Sequence, residues 1–193
     1  MVMYIITGYI LSFILLGIGI YYDASISNFF LNNQNPVLSR FMDIFAFLGN
    51  GIGVLVIITI YLFAKKKKVP ISFWLAFGIS MFITFLLKIS IARERPWQIA
   101  SGFDMNNSFP SGHATACFSA LLFMKDKARY YWLVFSLLVI FSRMYQGYHY
   151  LTDVATGSLI GLTIALIVDY CFVKFNLSMY FEKVTKRFAN LLD

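Results

Sequence analysis

The sequence predicts an all-α integral membrane protein, a bundle of six transmembrane helices, and three observations predict it. Of its 193 residues 60% are hydrophobic and 13% charged, against about 25% charged in ordinary soluble domains. The mean hydropathy is +0.74. Finally, six apolar windows are separated by polar turns, and lysine and arginine crowd into alternate turns.

The first window, Ile5–Tyr22, is expected to be a retained span rather than a cleaved leader. No Lys or Arg precedes it, it is longer than a typical leader core, and no clear small-residue cleavage site follows. Ala24 to Arg40 is too polar to cross, and its scattered apolar residues predict an interfacial segment on the outer face. The second span is Phe41–Ala64. Its Leu48-Gly-Asn-Gly-Ile-Gly53 lacks the strand-to-helix setting of a dinucleotide loop and is assigned to close helix packing. The third span is Pro70–Ile91, and the fourth is Ser111–Met124. At 1.5 Å per residue the fourth reaches about 21 Å, short of a hydrocarbon core of ~30 Å. It either continues into 125–128 or starts below the outer surface. Tyr130–Tyr145 and Asp153–Phe175 complete the six, and the tail after Asn176 reads as an amphipathic stretch on the inner surface. Trp97, Trp132, Tyr148 and Tyr150 suit the aromatic belt at the membrane surface.

Net charge is +7, which raises nucleic acid as a partner. The basic residues lie instead where orientation requires them: Lys65 to Lys68; Lys125, Lys127 and Arg129; then Lys174, Lys183, Lys186 and Arg187. With both termini cytoplasmic, all three groups fall on the inner side. The reading is therefore a bilayer partner and no nucleic acid. Cys117 and Cys171 show no metal-like spacing and are read as packing residues. No repeat or linker divides the chain, so residues 1–193 are one expected domain.

Ionisable groups at the ends of apolar segments are costly unless they face a wet protein interior. Three clusters stand out. Lys88 and Arg95-Pro96 are seven residues apart and share a helical face until proline ends it. Pro110-Ser111-Gly112-His113 opens the short span. Ser142-Arg143 and His149-x3-Asp153 straddle the last turn, with Gly147 as its pivot. Four residues apart, Asp153 is placed to accept one imidazole N–H from His149, which fixes the tautomer and frees the other nitrogen. Three cations, a hydroxyl beside a glycine amide, two imidazoles and a carboxylate suit phosphoryl transfer, where catalysis is positioning and charge neutralisation. One imidazole has to be neutral and the other protonated. Arg93 and Glu94, between Lys88 and Arg95, are read as neutralising each other, with no assigned role.

In order and spacing, K-x6-R-P, P-S-G-H and S-R-x5-H-x3-D resemble the type 2 phosphatidic acid phosphatase (PAP2) superfamily, over about the last two-thirds of the chain. The resemblance implies a six-helix bundle with a PAP2-like catalytic core in 88–153 and a metal-independent lipid phosphatase without cofactors. It implies that His149 is the nucleophile, oriented by Asp153, and that His113 protonates the leaving oxygen. Lys88, Arg95, Ser111, Gly112 and Arg143 would hold the phosphate. The implied partners are a lipid phosphate and water, at a cell membrane with the site outside. Phosphotransfer to a second lipid and a non-catalytic transporter or scaffold are the alternatives. Neither the lipid nor the oligomeric state is legible.

Overall fold

The computed structural model describes residues 2–65, 71–96 and 107–181. Among these residues seven helices of ten residues or more follow one another: α1 (Val2–Asn32), α2 (Pro36–Leu48), α3 (Gly51–Ala64), α4 (Ile71–Ile91), α5 (Gly112–Leu121), α6 (Asp126–Tyr145) and α7 (Leu151–Lys174). Trp97, Lys66 to Lys68, and Lys183, Lys186 and Arg187 lie outside the described residues.

The segment expected to lie on the surface is, up to Asn32, part of α1. That helix is 31 residues long, about 46 Å at 1.5 Å per residue. No proline or glycine interrupts it after Gly19. One face of its second half packs inward: Ser27 is buried, and the Phe30 ring meets Phe141 and Tyr145 of α6 at 5.6 and 6.0 Å. The turn comes at Asn33–Asn35. There the Asn35 side chain accepts from the amides of Val37 and Leu38 and caps α2, with Pro36 in the first turn where its missing N–H costs nothing.

The expected second span is two helices, α2 and α3, bent by 60°. The hinge is the glycine-rich stretch, and close packing is indeed one of its uses. A Cβ on Gly49 would sit 2.5 Å from both methyls of Val139 in α6. The break itself is fixed by Asn50, whose side chain accepts from the Gly53 amide and starts a new helix.

The expected fourth span is α5, only ten residues, about 15 Å. Every residue from Ala114 to Leu121 is buried. It is a central post with no lipid face, surrounded by α3, α4, α6 and α7. Its closest neighbour is α7, because Gly157 and Gly161 present no side chain to it. A Cβ on Gly161 would meet the Thr115 carbonyl oxygen at 2.5 Å and the Ser119 nitrogen at 2.7 Å. The post's carbonyl end is closed by Arg129 of α6, which donates to the carbonyls of Leu121 and Leu122, a favourable place for a cation. Arg129 thus has a structural task besides orientation. Trp132, assigned above to the aromatic belt, is instead buried and donates to the Cys117 carbonyl at 2.8 Å.

Large apolar side chains cover the outside, among them Ile6, Ile10 and Phe13 of α1, Val56 and Ile60 of α3, and Phe82 and Phe85 of α4. A surface of this kind belongs in hydrocarbon, where helices satisfy their own backbone groups. By length and composition, α1, α4 and α7 among the described residues are able to cross a membrane, and the bent α2–α3 pair brings the number to four if it is counted as one span. Six are not reached by that measure. α5 is too short, and α6 carries Asp126, Lys127, Arg129 and Arg143.

Cross-contacts sort the two ends of the molecule. Asn35 and Gln34 bond to Tyr145, Asp43 to Gln146, and Asp23 to Thr152 at one end. At the other, the Lys125 amide bonds to the Tyr61 hydroxyl, one turn from Lys65. The motif residues gather at the first end and the described basic turns at the second.

Candidate active site

The site is assembled at the N-termini of α5 and α7, the C-termini of α4 and α6, and the turns between them. After α6 the chain reverses at Gly147, whose φ of 71° is the left-handed conformation that glycine adopts freely. The amides of Tyr148 and His149 both donate back to the Arg143 carbonyl, which holds His149 inward over the start of α7. Asp153, in the first turn of α7, accepts from the Tyr150 amide at 2.8 Å through Oδ2 and so starts the helix.

His149 and Asp153 meet as the four-residue spacing predicts, with one difference. Nδ1 of His149 stands 3.6 Å from Asp153 Oδ2, too far for a hydrogen bond. That nitrogen is buried and has no partner, and the same is true of Arg143 Nε. Buried polar atoms of this kind cost stability unless a ligand takes them up. Both lie in the same cationic recess.

Lys88, Arg95 and Arg143 surround the imidazole closely enough for all three charges to act on it. Together with burial, which is the largest cause, they hold His149 well below the ordinary imidazole value. Both effects favour the neutral imidazole. Lys88 reaches the backbone carbonyl of Asn107 at 2.5 Å, and Asn107 returns its side-chain amide to the Lys88 carbonyl at 2.9 Å. Arg143 donates to Gln146 at 3.1 Å and stacks on Tyr148 at 4.2 Å. Arg95 lies 5.3 Å from the same ring. One ring, Tyr148, thus carries two guanidinium contacts.

The helix α5 brings the second motif to the same place. The Ser111 amide donates to the Asp153 carbonyl at 3.0 Å, tying α5 to α7. Its buried hydroxyl is the N-cap of α5, at 3.5 Å from the Ala114 amide. Gly112 is the first helical residue, so its amide and that of His113 belong to the unpaired first turn, which favours anions. His113 contacts the Ala46 carbonyl of α2 through Nε2 at 3.1 Å. It also lies within electrostatic range of His149, Arg143 and Lys88. All eight residues singled out from the sequence converge on one end of the bundle.

Arg93 was given no role by the sequence, and the structure corrects this. It does not pair with Glu94. One of its nitrogens donates to Asp153 Oδ1 at 2.8 Å and to Thr152 Oγ1 at 2.7 Å, and the other to Asp23 Oδ2 at 2.9 Å. Asp23 also accepts from the Thr152 amide at 3.0 Å and bonds to the Thr152 hydroxyl. The one sequence signal for Asp23 is that it is a carboxylate near the end of an apolar window, which marks a buried partner without naming it.

Comparison with known proteins agrees with this geometry. Residues 69–177 match the PAP2 superfamily. The chain is 40% identical over 92 residues to the bacitracin transport permease protein BcrC of Bacillus licheniformis, covering 44% of this chain and 45% of that one. It is 28% identical over 156 residues to undecaprenyl-diphosphatase BcrC of Bacillus subtilis, covering 76% and 79% respectively. Among solved structures, the PAP2-type phosphatidylglycerolphosphate phosphatase of Bacillus subtilis superposes with a TM-score of 0.67 at 26% identity, over 88% of this chain and 96% of that one. The family match spans more than half of the chain and contains every motif residue of the cationic recess, and on both grounds this chain belongs to the PAP2 superfamily.

Proposed function

We propose that the chain is a membrane lipid phosphatase that removes a phosphate from a lipid phosphomonoester or diphosphate through a phosphohistidine on His149. The observation that carries this reading is the buried His149 with Asp153 3.6 Å behind it and the charges of Lys88, Arg143 and Arg95 acting on it. A neutral imidazole is a nucleophile, and the cations draw a phosphate's oxygens to it.

In the first step His149 Nε2 attacks phosphorus while the bond to the lipid oxygen breaks. His113 gives that oxygen its proton. Nδ1–H of His149 closes on Asp153, which takes up the positive charge that develops on the ring. Lys88, Arg95 and Arg143 hold the equatorial oxygens, with the Ser111 hydroxyl and the Gly112 amide at the head of α5. In the second step water attacks the phosphohistidine, and His113, now neutral, takes the water's proton. Inorganic phosphate leaves and His149 is restored. The three side-chain cations supply the charge that a metal supplies in other phosphatases, so no metal enters the reaction.

The chain is read as one domain that crosses the membrane six times. α1, the α2–α3 pair, α4, α5 with residues 122–125, α6 and α7 run alternately between the basic end and the site end. The basic end is cytoplasmic by the positive-inside rule, which puts the site on the outer face of the cell membrane. Acyl or prenyl chains stay in the bilayer while the phosphate enters the recess.

Relatives act, by their names, on undecaprenyl diphosphate and on phosphatidylglycerol phosphate, and phosphatidic acid and lipid A phosphates present the same group. The test is phosphate release from these four lipids by the purified protein in detergent with excess EDTA, beside His149→Ala. Release that survives EDTA and disappears in the variant is the expected result. Transfer of labelled phosphate to a second lipid would replace hydrolysis by phosphotransfer, and no release from any lipid would overturn the reading.

A further inference from the structure

Arg93 is placed where none of the phosphate-binding cations is. Its guanidinium bridges two carboxylates from helices at opposite ends of the sequence, Asp23 of α1 and Asp153 of α7. The Tyr150 ring packs against it at 3.8 Å. Asp153 is fully buried, Asp23 is 13% exposed and Arg93 31% exposed, so the charge pair at Asp153 is the desolvated one. Asp153 has two oxygens with separate duties: Oδ1 is held by Arg93, whereas Oδ2 faces Tyr150 N–H and His149.

The approach of α1 needed for this is built in. A Cβ on Gly19 would stand 2.9 Å from the Thr152 nitrogen and 3.0 Å from an Asp23 oxygen. Glycine there lets α1 lie against the first turn of α7, which is what brings Asp23 to Arg93.

We propose that Arg93, held by Asp23, is a positioning residue for the reaction, fixing the Asp153 carboxylate behind His149 and setting the net charge that the imidazole feels. The proposal rests on His149 being the nucleophile. Without Arg93, Asp153 is held at Oδ2 by the Tyr150 amide but loses its partner at Oδ1, and its charge is uncompensated. Arg93 locks its rotamer and offsets its charge, and Asp23 restores part of that charge from 2.9 Å beyond. The other charges acting on His149 are Lys88 from α4, Arg95 after it, Arg143 from α6 and Asp153 itself from α7. His113 of α5 interacts with it as well, and Asp43 of α2 stands near Arg143. Glu94 adjoins Arg93 in sequence and acts on Tyr150.

Removing Arg93 and removing Asp23 then act on His149 with opposite sign. Arg93→Gln leaves Asp153 uncompensated, favours the imidazolium and moves the acid limb of kcat/KM upward by roughly 0.5–1 pH unit. Asp23→Asn leaves Arg93 uncompensated and moves the limb downward. Arg93→Gln also lowers kcat by about 10- to 100-fold through the loose carboxylate, with KM little changed because Arg93 does not touch the phosphate. Arg93→Lys returns the limb to its wild-type position but restores kcat only in part, since an ammonium cannot reproduce the fork that spans two carboxylates. A structural strut alone gives no such opposed shifts.

The experiment is the pH profile of kcat/KM and kcat for wild type and the three variants on the preferred lipid, each checked by its melting curve in detergent. Opposed limb shifts uphold the assignment. Unmoved limbs, shifts of one sign, or a wild-type kcat in Arg93→Gln overturn it. If Arg93→Gln does not fold, Asp23→Asn decides: a lowered limb upholds it and an unmoved limb overturns it. If the wild type releases no phosphate, the proposed function has failed. The charge relation is then read from the NMR titration of His149 in a His113→Gln background, where Arg93→Gln has to raise the midpoint and an unmoved midpoint refutes the relation.

Discussion

At the scale of the residue, the proposed chemistry rests on a histidine whose surroundings disfavour its charged form. Burial first, then Lys88, Arg143 and Arg95, keep the His149 imidazole neutral well below its ordinary value of 6.5. As pH falls from 7, the nucleophile therefore persists past the point at which a free histidine is half protonated. Corrected for ionisation of the substrate, the acid limb of kcat/KM is expected below pH 6.5, and a limb at or above 6.5 contradicts the assignment. The same shift has a stability sign. Between the folded value and 6.5 the unfolded chain binds more protons, so this group's contribution falls as pH is lowered through that window. The motif residues were legible because charges at the ends of apolar runs are rare and their spacing is ordered. Arg93 was not, because Glu94 beside it looked like its partner. The real partner, Asp23, is 70 residues away, and spacing along a chain says nothing about a contact that only folding makes.

At the scale of the element, α5 and α7 form the joint that aligns Ser111 to His113 with Asp153, and glycine sets how closely they meet. Gly161→Val is expected to force the helices apart, because the new side chain meets backbone on α5 rather than a side chain able to turn away. A loss of about 1–3 kcal/mol, read as a lower melting temperature in detergent, should come with reduced activity. Gly17→Ala is the matched control. Nothing lies within 4 Å of its added methyl, and in mid-helix it should be neutral or mildly stabilising. Hydropathy located these helices but not their joints. The α2–α3 bend was hidden in a uniformly apolar window, since Asn50 reads as one polar residue until its side chain is seen capping Gly53. The run of α1 through Asn32 was missed for the converse reason: polar residues there suggested a surface, whereas Asp23 and Ser27 face protein.

At the scale of the whole molecule, the contacts that sort the two ends make a topological prediction. Single cysteines at Gln34 and at Lys127, in a background without Cys117 and Cys171, should label from opposite sides of intact cells or inverted vesicles. Gln34 is expected to react from outside, and labelling of Lys127 from outside would reverse the orientation. The apolar composition made the membrane class plain, and the count of six came from windows alone. What composition could not reveal is that one of those windows never meets lipid.

The burial of α5 bears on how the protein is made. Synthesis proceeds from the N-terminus, so α1 to α4 are available to the bilayer before the post exists. The post has ten residues, with polar Thr115 and Ser119 among them and no lipid-facing side, and is a poor independent insertion signal. Its surroundings are complete only when α7 has been translated, because Gly157 and Gly161 supply the wall it leans on and Asp153 supplies the bond to Ser111. The recess thus closes only once α7 is in place, and a nascent chain stalled before α7 carries the first two motifs without a pocket to hold them.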